Sequence, residues 1–491
     1  MSSADAVVTD LNYGIDDVPK PFARALGLGL QHVLTMFGAT IAVPLILGPS
    51  MNMGPADLAI LISSVFIASG IATIIQAAWG SRLPIVQGVS FAFLGPFFAI
   101  IAVHPSPDAM RYIAGAILVG AVVEAAVGFS GLFGVIRRYI TPVVIGPVVA
   151  LIGLSLFPAA AGTASPNWWL ALLVVAGVFV YSLILAPKVR FFSLFPILLA
   201  IVTAYVVALV LSLVGVIGEG SAAYVSFAGA GDAPWVRNVA GVKGLLFPWG
   251  TPLVSFGFVI AVLAAYLASA IESFGDYHAV SQVSGLGDPD ERTINRGIGA
   301  EGLGCFVTGL VGGFASTSYT ENIGLIGITK VASRYVVIVG AIALVVLGFV
   351  TKTGALVATI PGPVVGGAYL ALFGVIAAIG LSILLRADMS SQRNILIAGF
   401  VLFMGLVVPS YFSGLPGDWT LLGVGWLTDL ARSIGGSGIA VGALLGLFLD
   451  NVLPGTDVER GMIGGRAPVP TTEASELPGA LGDASPDAPT A

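Results

Sequence analysis

The stretch LASAIESFGDYHAVS (267–281) places two carboxylates, Glu272 and Asp276, one helical turn apart in an otherwise apolar run. A second stretch, STSYTENIGLIGITK (316–330), puts Glu321 in a polar, glycine-bearing break. Neither has a cation inside it before the terminal Lys330. A charge at mid-bilayer costs about 2.5–3.5 kcal/mol or more, so acids in apolar spans mark a substrate, ion or proton pathway. Residues at i and i+4 share a helix face, and that face must point into the protein. The pair and the break together predict an all-α polytopic membrane protein with a polar site near its midplane.

Composition agrees. Of 491 residues, 57% are hydrophobic and 9% charged, with a mean hydropathy of +1.01. Soluble domains carry about a quarter charged residues. Apolar runs near the roughly 20 residues needed to span a bilayer recur throughout. Fourteen spans are predicted, at 24–47, 57–79, 84–103, 111–134, 140–157, 168–186, 193–217, 252–281, 294–311, 314–332, 334–351, 363–385, 394–410 and 434–453. An even number puts both termini on one side. On that topology 15 of the 20 cations share the terminal side, and only Arg111, Arg237, Lys243, Lys352 and Arg432 lie opposite. Basic residues stay in the cytoplasm, so cytoplasmic termini in a plasma membrane are expected. Residues 1–22 and 455–491 read as solvated tails, the latter disordered. No cleavable signal peptide is expected, because residues 1–20 lack an apolar core. The single Cys305 allows no disulfide framework and reads as a buried structural thiol.

The long loop at 218–250 divides the chain into seven spans and seven. TPVVIGPVVALIG (141–153) opens the fifth span and GPVVGGAYLALFG (362–374) the twelfth. Superposed, Pro142 meets Pro363, Gly146 meets Gly367, Leu151 meets Leu372 and Gly153 meets Gly374. Seven spans per repeat reverse the sense of insertion, the pattern of inverted-repeat secondary transporters. The third and tenth spans are irregular at equivalent places. LPIVQGVSFAFLGP (83–96) and GGFASTSYTENIGLIGITK (312–330) both read as a short extended segment feeding a half-helix. Irregular backbone survives at membrane depth only where protein or a cavity covers it, and paired breaks point to the binding site.

Glu272 and Glu321 are the leading substrate-binding candidates. Asp276 shares Glu272's face. Two carboxylates there without a cation favour holding a proton, which suits proton coupling. Asn322 offers both donor and acceptor groups. Ser90, Phe91, Tyr319 and Thr320 lie in the breaks and are weaker candidates. Phe91 is placed to stack on a planar ligand, although packing is the equal alternative. Gln31 and His32 begin a polar patch, QHVLTMFGAT (31–40), in the first span. Glu124, in LVGAVVEAAVGF (118–129), and His278 read as structural. No metal cluster, P-loop, dinucleotide fingerprint or nucleophile elbow is present in convincing context. No cofactor, no metal and no nucleic-acid partner are expected, and energy should come from an ion gradient, with protons expected and sodium the alternative ion.

These residues resemble the nucleobase–ascorbate transporter family, which includes uracil and xanthine permeases. The likeness runs from about residue 10 to 455. Its anchors are GLQHVLTMFGATIAVPLILG (29–48), QGVSFAFLGP (87–96), ESFGDYHAVS (272–281) and ENIGLIGITKVASR (321–334). The last is close to the family signature, here Asn322, Gly324, Thr329 and Lys330. The resemblance implies a 7+7 inverted repeat. A core domain would comprise residues 23–135 and 251–352 (spans 1–4 and 8–11). A gate domain would comprise 136–250 and 353–454 (spans 5–7 and 12–14), and would form a homodimer contact. Substrate would lie between spans three, eight and ten. Glu272 and Glu321 would bind a base through its N–H groups, with Phe91 and Tyr319 lining the pocket and backbone near Phe91 and Thr320 assisting. Asp276 stands where uracil permeases often carry histidine, and so would tune coupling. Glu321 before Asn322 is uracil-permease-like, whereas Glu-Ser-x-Gly-Asp is closer to the purine and ascorbate branches. Uracil is therefore expected first and xanthine second. The alternatives are an anion or ascorbate-type carrier on the same fold, and an intramembrane enzyme. Three acids at the site disfavour the first, and the lack of a nucleophile or metal disfavours the second.

Overall fold

Proline and short polar residues set where the helices begin. The computed structural model describes residues 11–104, 106–240 and 244–462. Lys243, Arg466 and the tail expectations for 1–10 and 463–491 lie outside the described residues. The main elements are α1 (Phe22–Ser50), α2 (Pro55–Ala78), β1 (Gln87–Val89), α3 (Leu94–Val103), α4 (Asp108–Phe129), α5 (Pro142–Ser155), α6 (Trp168–Phe179) and α7 (Pro196–Leu213). They continue with α8 (Phe256–Val283), α9 (Glu291–Val311), β2 (Ser316–Ser318), α10 (Thr320–Thr329), α11 (Arg334–Phe349), α12 (Gly362–Leu384), α13 (Gln392–Ser413) and α14 (Gly438–Val452). Pro55, Pro142, Pro196 and Pro363 occupy first turns, where the missing N–H costs nothing. Asn167, Asp290, Ser333, Ser391 and Ser437 cap α6, α9, α11, α13 and α14 with their side chains.

Among the described residues the fold is all-α apart from β1 and β2. Among the described residues, eight helices are long and apolar enough to cross a membrane, or nine if the short helix Gly425–Gly435 and α14, bent by 88°, count as one. The fourteen crossings expected from the sequence are not reached by this measure, for identifiable reasons. α3 and α10 are half-length, at 10 residues each. α9 carries Glu291, Arg292, Arg296 and Glu301 within its 21 residues. The fifth and sixth expected spans run together as one apolar stretch, Pro142–Leu185.

The extended segments expected in the third and tenth spans pair with each other. β1 and β2 form a buried antiparallel ribbon, with Gln87 opposite Ser318, Gly88 opposite Thr317 and Val89 opposite Ser316. Because the strands run antiparallel, α3 leaves one end of the ribbon and α10 the other. The ribbon is tied from both sides. Gln87 N–H donates to Thr73 Oγ1 of α2 (2.9 Å). On the other side Ser316 N–H donates to the Cys305 sulfur of α9 (3.2 Å), so the lone thiol is buried and structural.

Around this ribbon α9 packs on α4 and α2, and α11 on α1 and α2. Gly302 permits the α4–α9 approach, since a Cβ there would lie 2.4 Å from Ala125 N. A second group of contacts joins α12 to α5 and α6, and α5 to α13 and α14. α8 touches both groups, meeting α4, α9 and α10 on one side and α5 and α14 on the other. The best apolar windows of α1, α2 and α8 are 72%, 78% and 67% buried, against 22% for α7 and α13. The first set is therefore core, and the second turns most of its surface outward.

Residues 11–17 and 455–462 are more ordered than their polarity suggests. Asn12 N–H donates to Lys330 O (2.8 Å) and Asp16 pairs with Arg334 (2.7 Å). Residues 455–462, read from sequence as the start of a disordered tail, fold back instead. Arg460 pairs with buried Asp450 (2.8 Å), and Asn394 Nδ2 donates to Glu459 O (2.8 Å). A buried acid needing cations holds the segment down.

At the solvent-exposed start of α9, Asp290 accepts from Thr293 N–H (2.7 Å), which holds its carboxyl below the usual carboxylate range. The capping contribution is therefore present above that range and is lost as pH falls through the folded value. Asp290→Ala should cost about 1 kcal/mol, read as a lower thermal midpoint in detergent at neutral pH, with the difference shrinking in acid.

Candidate functional site

A cavity of about 730 Å³ lies between α8, the ribbon, α10, α5 and α12. Its inner wall carries Val89, Phe91, Glu272, Asp276 and the run Thr317–Glu321. Its far end carries Arg138, Arg386 and the folded-back residues Asp457, Gly461 and Met462. This is within the size of small-molecule sites, which are apolar with a few placed polar groups.

Each acid is held differently. Glu272 and Glu321 are half-buried, and among the described residues neither carboxyl has a side-chain hydrogen-bond partner. Glu321 sits in the first turn of α10, where the helix dipole favours an anion. Asp276 is buried and fully engaged: Ser318 Oγ donates to Oδ2 (2.6 Å) and Thr320 Oγ1 to Oδ1 (2.8 Å). The two free acids thus face the cavity, and the third is anchored to the ribbon.

The aromatic walls are fixed by packing. Tyr319 Oη donates to Val89 O (2.9 Å), and its ring crosses Gly88, where a Cβ would lie 2.3 Å from it. Only glycine leaves that space. Phe91 is buried and packs edge-on against Phe373 of α12 (5.4 Å, 84°).

Ser90, expected to bind substrate, and Asn322 and Gln31, expected to support the site or its coupling, do not line the cavity. Ser90 does not line the cavity; its hydroxyl accepts from Ala92 N–H and caps the turn before α3. Asn322 points away, its Nδ2 donating to His32 O (2.9 Å), so it ties α10 to α1. Gln31, one residue before His32, contributes its carbonyl to Thr35 and does not reach the cavity. The polar patch of α1 reaches the site's support through His32 instead. Asn322→Ala should remove this tie at about 1–2 kcal/mol, seen as a lower thermal midpoint.

Glu301 was not among the expected residues. It is buried in α9 and receives Ser269 Oγ at Oε1 (2.9 Å), with Ser273 Oγ (2.6 Å) and Tyr277 Oη (3.1 Å) at Oε2. Gln76 Nε2 donates to the same tyrosine (2.7 Å). A lone acid in NRGIGAEGLGCF (295–306) is the same signal that marks Glu272; the charged start of α9 masked it. Glu124, read as structural, is 5% exposed, and among the described residues neither carboxyl oxygen has a hydrogen-bond partner.

A family profile, Xan_ur_permease, described as a permease family, matches residues 23–414. Mouse solute carrier family 23 member 2 is 37% identical over 503 residues, covering 94% of this chain and 77% of that protein. The chain belongs to the nucleobase–ascorbate transporter family. Nucleobase-ascorbate transporter 1 of Arabidopsis thaliana is 32% identical, covering 92% of this chain and 90% of that one. Among solved structures, the transmembrane domain of the cyanobacterial bicarbonate transporter BicA aligns with a TM-score of 0.55 at 16% identity, covering 78% of this chain and 96% of that domain. Murine Slc26a9, in an inward-facing state, aligns at 0.57 and 12% identity, over 79% of this chain and 66% of that one. Those two likenesses concern the fold. Family membership makes this chain a multi-pass membrane transporter, and its relatives are transporters rather than enzymes.

Proposed function

We propose that this nucleobase–ascorbate family member takes up a nucleobase, uracil first and xanthine second, coupled to protons. The observation that carries the reading is the pair Glu272 and Glu321, two side-chain-unpartnered carboxyls facing one cavity between Phe91 and Tyr319. A planar base presents several ring N–H donors and polarised faces. Carboxylates accept the first, and aromatic rings cover the second. An anion such as ascorbate finds acids where it needs cations, which places it below a neutral base even though the relatives' names include it. Asp276, anchored beside Glu272, is the coupling residue in this reading, and Asn322 and His32 hold α10 in position. The coupling ion is the proton, with sodium the competing ion for the test below.

Transport proceeds by alternating access. The packing group around α1–α4 and α8–α11 forms a core, and α5–α7 with α12–α14 form a gate. They rock along the α5–α12 and α8 boundaries over fourteen crossings arranged as an inverted repeat. The outward-facing surfaces of α7 and α13 leave apolar area for lipid and for a homodimer partner in the plasma membrane, with both termini cytoplasmic.

Labelled uracil uptake, competed by unlabelled uracil, xanthine, hypoxanthine and ascorbate at two pH values and with or without sodium, tests the reading. Competition by bases, with uptake rising in external acid, is expected. Inhibition by ascorbate alone, or dependence on sodium alone, would overturn it.

A further inference from the structure

The two halves of α8 meet different surroundings. The second half, from Ile271 to Gln282, lines the cavity, whereas the first half packs against α3, α4 and the short helix Gly425–Gly435. Gly257, in the first turn of α8, lies 14 residues before Ile271, roughly 21 Å along the helix. A Cβ there would stand 2.7 Å from Asp429 Cβ and 2.8 Å from Leu430 N of the short helix. Gly95 of α3 makes a second contact of this kind. A Cβ there would stand 2.7 Å from Ser437 Oγ and 3.1 Å from Ser437 Cβ. Phe256 and Trp426 pack edge-on beside the first contact (5.7 Å, 74°). The segment 425–437 therefore seats in two notches that glycine leaves open.

The other side of the segment is fixed to α13 and α14. A Cβ at Gly438 would stand 2.2 Å from Gly405 O of α13, and one at Gly435 would stand 2.3 Å from the Phe412 ring. Arg432 donates to the carbonyls of Pro416 (2.6 Å), Gly417 (3.2 Å) and Trp419 (3.1 Å). Ser437 is buried and caps α14. Toward α3 and α8 the bonding is different: among the described residues no hydrogen bond joins 425–437 to either helix. The segment can therefore part from them without leaving a polar group unpaired.

We propose that residues 425–437 are a latch that shuts the molecule at the start of α8, and that Gly95 and Gly257 hold it shut by letting the latch seat. The latch moves with α13 and α14, and the notches move with α3 and α8. Opening the site toward the start of α8 then requires the segment to lift from both glycines. Overfilling either notch by one methyl group disfavours the seated state and should shift this two-state balance by roughly 5–150-fold. Alanine is a better helix former than glycine, so a shift of that sign arises from the contact and not from the helix that bears it.

The inference rests on the alternating-access reading above, and not on the choice of base or ion. Its test uses purified full-length protein in detergent and a maleimide probe. Ser437→Cys reports on the latch and Ala279→Cys on the cavity wall, while the native Cys305 is buried. Adding Gly257→Ala or Gly95→Ala should speed labelling of Ser437→Cys and slow that of Ala279→Cys, each by about fivefold or more. Gly399→Ala in α13, where nothing lies within 4 Å of a Cβ, should change neither rate. Unchanged labelling of both reporters in Gly257→Ala and Gly95→Ala would overturn the proposal, and if one of these variants fails to fold, the same result in the other suffices. A Ser437→Cys protein in liposomes that exchanges labelled uracil, or xanthine if competition selects it, yet is never labelled at the latch would sink the alternating-access reading at this boundary, and the proposal with it.

Discussion

Glu272→Gln is expected to weaken base binding by roughly 10–150-fold, the equivalent of the about 1.5–3 kcal/mol carried by a hydrogen bond to a charged group. The side chain keeps its shape and half-burial, but its second oxygen becomes an N–H₂ donor facing a ligand donor. Glu321→Gln should lose a similar amount. Together the two losses should be less than additive, because one planar ligand bridges both. The thermal midpoint should stay near that of the wild type, since neither carboxyl has a side-chain partner to lose. Equilibrium binding of labelled base to purified protein, beside a melting curve for each variant, reads both quantities. Wild-type affinity in both single variants would remove the acids from recognition.

Asp450→Ala should be the most damaging change to stability, at about 3–5 kcal/mol, because it leaves two largely covered cations without their buried acid. Asp450 is fully buried, and its carboxylate receives Arg393 (2.9 Å), Arg460 (2.8 Å) and Thr141 (2.8 Å). The arginine side chains are themselves only 12% and 14% exposed. Arg460→Ala should cost less, because Arg393 remains paired. Both variants should free residues 455–462, of which Asp457, Gly461 and Met462 line the far end of the cavity. Faster protease cleavage there, with a lower melting point for Asp450→Ala than for Arg460→Ala, is the expected pattern.

Much of the site was legible because the bilayer makes polarity conspicuous. Glu272, Asp276 and Glu321 stand out in apolar text, and the two breaks announce extended segments by their Gly, Ser, Thr and β-branched residues. What sequence could not supply was direction. Ser90 and Phe91 are neighbours, yet one caps a turn and the other walls the cavity. Asn322 follows Glu321 but points to the opposite side of α10, and His32 rather than Gln31 receives it. Glu301 obeyed the rule that found Glu272 and was hidden by the charged first turns of its helix. By length and apolarity alone fewer than fourteen crossings are counted among the described residues, because α3 and α10 are short and α9 carries charge. The folded-back C-terminal residues were misread because a polar composition says nothing of a buried acid waiting elsewhere for arginine.

The ribbon joins strands about 230 residues apart in the chain. An unpaired strand edge in a lipid interior is strongly disfavoured. At about 5–20 residues per second, translation leaves β1 without its mate for roughly 10–45 seconds. The nascent first half must therefore wait, shielded by the insertion machinery or held short of full burial, until Ser316–Ser318 emerges. Neither half is a finished folding unit, and biogenesis closes with a single backbone zip at the heart of the molecule.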